Sequence, residues 1–526
     1  MEQLSRKFKI TTIVVIALFL SFGIKRLYDL ARSPLATKPC LFTFPTFENT
    51  TTTLLIPPPA WLTQKAGFIN DASCLNRTPI YGVVEVKNEN DVGQALEYAK
   101  QNNLKITAAG QKHSMGGQSF QRNGLVLDMR HFNHIKVDRE NKIAHVQSGA
   151  TWEELQKIID PLGLSIKAMQ SINIFTIGGT LSVNAHGIAH NPGPVASTVR
   201  SLRIMTPDGS IVKASPTENT DLFQHVLGGY GLFGVILEAE IELVENKLYD
   251  WNTTFIPYTD FPTYFAKNIA NNSDIELFFA RLSMSPTSYL TETAVHTFTN
   301  VNLQQEIPAV KPIEPAWIQR LIFNLSKTGG TGKWLRWNLE KHIAKKLAPC
   351  IVSRTDALMD PYECLMTRNQ AMYDSMPYLK NELRDTDILQ EYFVSPEQFS
   401  DFVAGLKNIV QKNDVNLLNV TIRYVHKDEV TALPYAKKDM FALVLYFNQH
   451  FNREESEKLQ QTTRELIDLV NLQGGTYYLP YQLYYSSQQL QASYPEIDQF
   501  FEKKTQYDPH HIFTNTWFEK YSQKKY

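Results

Sequence analysis

The chain has 526 residues, of which 43% are hydrophobic and 20% charged, and its formal net charge is -1. This length and apolar content exclude a small disulfide-stapled scaffold and favour two folded domains over one. The balanced charge provides no global field for nucleic acid, so no nucleic-acid partner is predicted.

The four cysteines are Cys40, Cys74, Cys350 and Cys364. They form no C-x-x-C pair and lack zinc-ligand spacing, so no metal site is predicted. Two interpretations remain open. Cys40 and Cys74 are a candidate pair in an exported chain, or all four are thiols that serve as small apolar residues.

The N-terminal region carries a membrane signal. Ile10 to Ile24 is uncharged and almost wholly apolar, with basic residues on both sides. The run is shorter than the roughly 20 residues that span a bilayer, but flanking Lys and Arg side chains extend the reach. We predict one transmembrane helix over 8–27 on an undecided side of the membrane; a cleaved signal peptide is the alternative. A Pro- and Thr-rich tether over 28–67 is expected to follow.

Short β-rich runs alternate with helical patterns over 68–245, which predicts an α+β domain. A helix is expected to open at Asn90-Asp91, Thr151 and Glu154 form a capping-box pattern, and a helix is expected from Asp221 to Leu227. The predicted strands are Ile80–Val86, Lys105–Ala109, Leu125–Met129, Ile143–Gln147, Val199–Met205, Ile211–Ala214 and Val235–Leu243. A second, aromatic-rich domain is predicted over 246–505, and 506–526 is expected to return to the first.

Three glycine clusters punctuate the first domain, at 109–117, 176–187 and 228–234. Glycines let the main chain turn with its N–H groups pointing one way, which suits a pyrophosphate or a flat ligand. The third cluster contains G-x-G-x-x-G, but a helical pattern precedes it and a strand pattern follows. A nicotinamide-binding Rossmann motif needs the opposite order, so that interpretation is rejected.

These segments resemble, in order, the vanillyl-alcohol oxidase superfamily, whose FAD domain is also called the PCMH-type fold. The resemblance rests on NDASCLNRTPI, AAGQKHSMGGQ, LVLDM, VQSGATWEELQ, TIGGTLSVNAHG, GGYGLFGVILEAEIEL and the C-terminal YDPHHIFTN. It implies two α+β subdomains that clasp an extended FAD beneath an α+β cap domain.

The resemblance also implies the cofactor-binding residues. His113 matches the position that many members bond to the flavin 8α-methyl group; FAD held without a covalent bond is the alternative. Ile236 would meet the adenine with its main chain. The full implied set is Gly110, Gln111, Lys112, His113, Ser114, Thr176, Gly178, Gly179, Ser182, Asn184, Gly187 and Ile236.

On the substrate side, the segment NVTIR resembles the E-x-R pair of sugar-lactone and alditol oxidases. Arg423 matches the Arg, but Thr421 stands where the Glu would be, and Tyr481 stands where those oxidases have a Lys. Arg423 is expected to contact substrate or flavin, or else to form an ordinary ion pair. Tyr481 is expected to polarise a hydroxyl, to take its proton if the tyrosine pKa is lowered, or only to pack as an aromatic residue.

A basic, Trp-bearing stretch at 317–347 suits either an anionic lipid surface or a solvated helix packed on the cap. The leading hypothesis is a membrane-anchored FAD-dependent oxidoreductase. It would oxidise a CH–OH group of a sugar, lactone or polyol by hydride transfer to flavin N5, with oxygen or another electron acceptor. The alternatives are a flavin reductase or epimerase component acting on a lipid-linked sugar or a sterol, and a binding protein that kept the FAD fold without turnover.

Overall fold

The computed structural model describes residues 25, 40, 57–301, 309–310, 321, 323–342, 364–373 and 385–522. Its strands are β1 (Gln64–Lys65), β2 (Phe68–Ile69), β3 (Thr78–Pro79), β4 (Gly82–Glu85), β5 (Ile106–Ala109), β6 (Leu125–Asp128), β7 (Ile135–Asp138), β8 (Ile143–Gln147), β9 (Leu164–Ile166), β10 (Val199–Met205), β11 (Ile211–Ala214), β12 (Val235–Glu245), β13 (Leu248–Pro257), β14 (Ile275–Leu282), β15 (Glu292–Asn300), β16 (Leu365–Thr367), β17 (Asp385–Val394), β18 (Asn416–Val425), β19 (Met440–His450) and β20 (Thr476–Tyr477). Its α-helices are α1 (Glu89–Gln101), α2 (Trp152–Ile159), α3 (Ile177–Val183), α4 (Thr220–Val226), α5 (Phe261–Asn268), α6 (Gly330–His342), α7 (Arg368–Met372), α8 (Phe399–Asn413), α9 (Arg453–Leu472), α10 (Ser487–Ser493), α11 (Ile497–Tyr507) and α12 (Thr516–Ser522).

The first sheet has the order β1-β4-β6-β5, with β4 and β5 both parallel to β6. Helix α1 packs on it through Val92, Ala95, Leu96 and Ala99. The helix begins earlier than predicted, because Asn88 is the N-cap and forms a capping box with Asp91.

The second sheet is antiparallel, with the order β11-β10-β12-β8-β7 and β9 beside β12. Strands β10 and β11 lie at the predicted ranges and pair as a hairpin, and the predicted capping box of Thr151 and Glu154 is present at the start of α2. Strand β12 extends to Glu245, beyond the predicted end at Leu243, and buried residues alternate with half-buried ones from Leu237 onward.

The packed body begins before the expected boundary at Phe68. Strand β1 pairs with β4, Leu62 is buried, and the Trp61 ring meets the Tyr98 ring edge-on at 5.5 Å. The predicted transmembrane segment at 8–27 lies outside the described residues except for Lys25. Among the helices that are described, none combines the length and apolarity needed to cross a membrane.

The second half is built on an antiparallel eight-stranded sheet, with the order β16-β13-β15-β14-β18-β19-β17-β20. Helices α5, α8 and α9 cover one face, where Phe261 and Phe265 of α5 pack against Phe399 and Phe441. The opposite face carries Arg423, which reaches the second glycine cluster of the first domain.

Helix α6, from the predicted basic stretch, packs on that same opposite face. Trp337 is buried and donates to Glu292, and Glu340 accepts from Arg281 of β14. Trp334 is 45% exposed. The described part of the stretch is therefore a helix docked on the sheet with one exposed tryptophan, and its remainder lies outside the described residues.

The C-terminal segment packs on the first sheet. The N–H of Ile106 in β5 donates to Ile512, and the N–H of Thr514 donates to Ile106. Trp517 of α12 packs on Tyr230, which lies in the third glycine cluster.

The interpretation of four unpaired thiols is wrong. Cys40 and Cys74 form a disulfide with Cα atoms 5.5 Å apart, and Cys364 is also disulfide-bonded. No described cysteine is free. The Cys40–Cys74 bond fastens the tether region to the segment that contacts the first glycine cluster, because Ala72 donates to the carbonyl of Lys112.

Candidate active site

A cleft of about 600 Å³, counting the space open to solvent, lies between the first and second sheets. One wall is the end of β5 with the loop after it, and the other is α3 with the start of β12. Its lining residues are Ala108, Ala109, Gly110, Ser114, Gln118, Ser119, Met129, Ser148, Thr176, Gly178, Gly179, Ser182, Val183, Tyr230, Gly231, Gly234, Val235 and Ile236. All three glycine clusters contribute to it.

The glycines let the two walls approach closely. A Cβ on Gly110 would lie 1.9 Å from Thr176 Oγ1, and one on Gly178 would lie 2.5 Å from Ser148 Cβ. Gly231 has a φ of +72° and nothing within 4 Å of its Cβ position. Backbone therefore lines a narrow slot with open space at its third cluster, which suits an extended ligand with a pyrophosphate.

His113 lies beside this cleft, next to Ser114. Its ring lies 4.2 Å from the ring of Phe175, and its Nδ1 is buried without a hydrogen-bond partner among the described residues. Burial, and then the charge of Lys112, lower the pKa of His113 to about 4. The imidazole is therefore neutral at physiological pH and keeps a free nitrogen lone pair.

The predicted cofactor-binding residues divide into two groups. Those that line the cleft are Gly110, Ser114, Thr176, Gly178, Gly179, Ser182 and Ile236. Those outside the lining are Gln111, Lys112, His113, Asn184 and Gly187.

Asn184 and Gly187 have clear roles in holding the second cluster. Asn184 is in the left-handed conformation at the end of α3; its side chain donates to Asp428 and accepts from the N–H of Ala196. A Cβ on Gly187 would lie 1.8 Å from the carbonyl oxygen of Met169. Both residues fix the backbone that follows the cleft wall.

Sequence reasoning missed Ser148, whose Oγ is buried, faces the cleft and has no described partner. A buried hydroxyl without a described partner, in a slot lined by glycines, is available to donate a hydrogen bond to a ligand. The third glycine cluster also contains cleft residues that are absent from the predicted cofactor-binding set. Its inverted context is confirmed, since α4 precedes and β12 follows, yet Tyr230, Gly231 and Gly234 line the cleft. These observations fit a bound FAD.

A second cluster joins the eight-stranded sheet to the two loops beside the cleft. Arg423 donates through Nη1 to the carbonyl of His186 at 3.2 Å and through Nη2 to Ser171 at 2.8 Å. His186 Nε2 lies 2.5 Å from Glu391 Oε1, and the Tyr481 hydroxyl donates to Glu391 Oε2 at 3.4 Å. His186 and Glu391 are buried, whereas Arg423 and Tyr481 are half-buried.

The two predicted substrate-side residues, Arg423 and Tyr481, are thus brought together around a carboxylate that sequence reasoning did not single out. One alternative for Tyr481 is wrong: its pKa is not lowered. Burial, and then the neighbouring Glu391, raise the pKa of Tyr481 well above its usual value. The phenol therefore keeps its proton at neutral pH.

Comparison with known proteins matches both halves of the chain. The family described as FAD binding domain matches residues 80–215, and the family described as D-arabinono-1,4-lactone oxidase matches residues 293–521. The cleft lies largely within the first match, and Glu391, Arg423 and Tyr481 lie within the second.

Several curated proteins are similar over part of their length. Cytokinin dehydrogenase 2 of Arabidopsis thaliana is 32% identical over 187 residues, which are 35% of this chain and 37% of that protein. Cytokinin dehydrogenase 3 of Oryza sativa subsp. japonica is 36% identical over 166 residues, 30% of this chain and 31% of that protein. Decaprenylphosphoryl-beta-D-ribose oxidase of Mycolicibacterium smegmatis is 31% identical over 145 residues, 27% of this chain and 32% of that protein.

The matched region thus spans about a third of the length of these relatives. The two family matches follow each other in chain order and together cover well over half of the chain. The chain therefore carries an FAD-binding domain of the PCMH type followed by a D-arabinono-1,4-lactone oxidase domain, as the resemblance implies.

Proposed function

We propose that this protein is an FAD-dependent oxidoreductase that oxidises a CH–OH group of a sugar-lactone or polyol-like substrate. The observation that carries the proposal is the convergence of Arg423, Tyr481 and Glu391 beside the glycine-lined cleft. When bound, FAD would supply the hydride acceptor, with oxygen or another compound as the final electron acceptor. The protein must orient the substrate carbon and receive the hydroxyl proton.

Arg423 is suited to orient the substrate. Its Nη1 donates to His186 of the second glycine cluster and its Nη2 donates to Ser171, which fixes the plane of the group. The remaining Nε is buried and has no partner among the described residues. An unpaired buried N–H is costly, so a substrate oxygen that accepts from it gains both affinity and orientation.

A second candidate function is an epimerase component or reductase that acts on a lipid-linked sugar. The partial similarity to decaprenylphosphoryl-beta-D-ribose oxidase favours it, as does the departure from the E-x-R and Lys pattern at Thr421 and Tyr481. In that case the substrate is a lipid-linked alcohol and oxygen is not the required acceptor.

Anaerobic mixing of the purified protein with candidate alcohols tests these proposals. Transfer of a hydride to FAD bleaches the visible absorption of the oxidised flavin. Bleaching by an aldonolactone or polyol supports the first candidate, and bleaching only by a prenyl-phosphate-linked sugar supports the second. A yellow protein that no alcohol bleaches would leave a binding protein and refute both.

We also propose that FAD is covalently bound through His113. The neutral ring and the unpartnered Nδ1 provide the nucleophilic nitrogen that such a bond requires. Acid denaturation should leave the yellow colour with the polypeptide, and His113→Ala should release it. His131→Ala is the matched control, because His131 is exposed. Colour released from the unmutated protein would refute covalency and leave FAD binding intact.

Finally, we propose that residues 8–27 anchor the chain in a membrane, with the folded body on an oxidising side. The apolar run between basic residues supports the anchor, and the disulfide-bonded state of the described cysteines supports the compartment. Alkaline extraction of membranes should leave the full chain in the pellet, and thiol labelling under denaturation should need a reductant. An extracted chain with free thiols would contradict both parts.

A further inference from the structure

The eight-stranded sheet places a carboxylate in the same row as Thr421. Thr421 of β18 pairs with Val444 of β19, and Val444 pairs with Glu391 of β17. Residues paired directly across antiparallel strands point to the same face. Glu391 therefore shares a face with Thr421 and Arg423, two strands away, at about 10 Å from Thr421 by strand spacing.

His186 orients this carboxylate through one hydrogen bond. His186 Nδ1 is buried and has no partner among the described residues, so a proton there would be unpaired. The favoured tautomer is neutral, with the proton on Nε2 directed at Glu391 Oε1 at 2.5 Å. Glu391 Oε1 is then the acceptor, and its second oxygen lies toward the Tyr481 hydroxyl.

Tyr481 is the only one of these three groups that is not fully buried. Because its pKa is raised, it cannot take a proton unless it gives up its own at the same time. Its 3.4 Å bond to Glu391 is long, as catalytic hydrogen bonds often are before substrate binds. The titratable groups facing Glu391 are His186, Tyr435, Tyr478, Tyr481 and Tyr494, with Arg423 facing Tyr481.

We propose that Tyr481 and Glu391 form a two-step proton path for the oxidised hydroxyl, with His186 as the positioning residue. This inference rests on the proposed function. The substrate O–H bond breaks as its proton passes to the Tyr481 oxygen, while the Tyr481 proton passes to Glu391 Oε2. The electron pair of the substrate C–H bond leaves as hydride to FAD, so the alcohol becomes a carbonyl and Glu391 ends protonated.

Glu391→Gln is the central test, since Gln keeps the shape but cannot take a proton. We expect kcat to fall about 100- to 10,000-fold with little change in KM and an unchanged flavin spectrum. Glu465→Gln is the control, because that carboxylate pairs with Lys412 on the surface of the helix layer. A kcat loss below about tenfold would overturn the inference.

Tyr481→Phe should cause a loss of similar size, and the double variant should be no slower than the slower single variant, because both residues act as one unit. Tyr484→Phe, in the same segment and also half-buried, is the matched control. Additive losses in the double variant would contradict a shared path.

A readout without turnover separates this inference from the proposed function. NMR of the holoprotein labelled with ¹⁵N-histidine should show His186 as a neutral Nε2–H tautomer, and Glu391→Gln should perturb it. If no alcohol bleaches the wild-type flavin, the proposed function fails and the proton path falls with it. If bleaching occurs but His186 is protonated on Nδ1, the oxidoreductase stands and the proton path is wrong.

Discussion

Replacement of Gly110 by alanine should force apart the two walls of the cleft at the point where they meet. The added Cβ would lie 1.9 Å from Thr176 Oγ1 and 2.9 Å from two of its carbons. Carbon contacts need about 3.5 Å, so the loop after β5 and the start of α3 must separate by about 1.5 Å. Overpacking on this scale costs about 1–3 kcal/mol. If the cost falls on the FAD complex, it weakens FAD binding about 5- to 150-fold.

The assay is the dissociation constant of FAD, measured by flavin fluorescence quenching in a His113→Ala background so that no covalent bond masks the effect. Thr176→Ala should restore much of the affinity of Gly110→Ala, because it removes Oγ1 and Cγ2. Gly93→Ala is the control: its Cβ meets only Met205 Cε, at 4.0 Å, and alanine favours the helix by about 0.5–1 kcal/mol. If Gly110→Ala binds FAD as tightly as its parent, the two walls do not meet as described.

Three further predictions concern stability. Cys40→Ser removes the Cys40–Cys74 disulfide, which spans a sequence separation of 34. The chain-entropy model sets an upper limit of about 4 kcal/mol on the resulting loss in the free energy of unfolding, measured in urea. No loss would show that the disulfide constrains the unfolded chain little. Burial raises the pKa of Glu340, but Arg281 and the other nearby cations outweigh burial and lower the pKa to about 2. Glu340→Gln should therefore destabilise the docking of α6 and speed its amide hydrogen exchange. Unchanged exchange would contradict this. Burial, and then the charge of Lys112, lower the pKa of His113 to about 4. The folded cofactor-free protein therefore binds fewer protons than the unfolded chain between pH 4 and 6.5, and its free energy of unfolding should rise with pH in that range. His113→Ala should flatten this slope.

Much of the first domain follows from local pattern. Short windows of sequence encode the alternating burial along β12, the hairpin of β10 and β11, and the capping box of Thr151. The N-cap of α1 is Asn88, two residues before the predicted start at Asn90. Both asparagines can cap a helix, and the capping box that Asp91 forms with Asn88 selects Asn88. The resemblance implied that the first two glycine clusters hold one cofactor, and both clusters line the cleft.

The rest of the site depends on pairing between distant segments. Ser148 follows an ordinary strand, and only the approach of Gly178 turns its hydroxyl into part of the cleft. His186 lies in the second glycine cluster, yet its side chain is directed at Glu391 of the other domain. No local periodicity encodes such contacts, because the order of strands in a sheet is set by packing of the whole chain.

The substitution at Thr421 shows why a motif can be broken while its chemistry persists. In E-x-R, spacing of two residues on one strand puts a carboxylate and a guanidinium on the same face. The same face is also reached from other strands of an antiparallel sheet, at a position fixed by register and not by sequence distance. Glu391 occupies such a position on β17, and the Tyr481 hydroxyl donates to it. A tyrosine with a raised pKa cannot act as a base by itself, but it can pass a proton to a carboxylate that accepts its hydrogen bond. The departures from the oxidase pattern at Thr421 and Tyr481 are therefore compatible as a pair, although each alone would argue against catalysis.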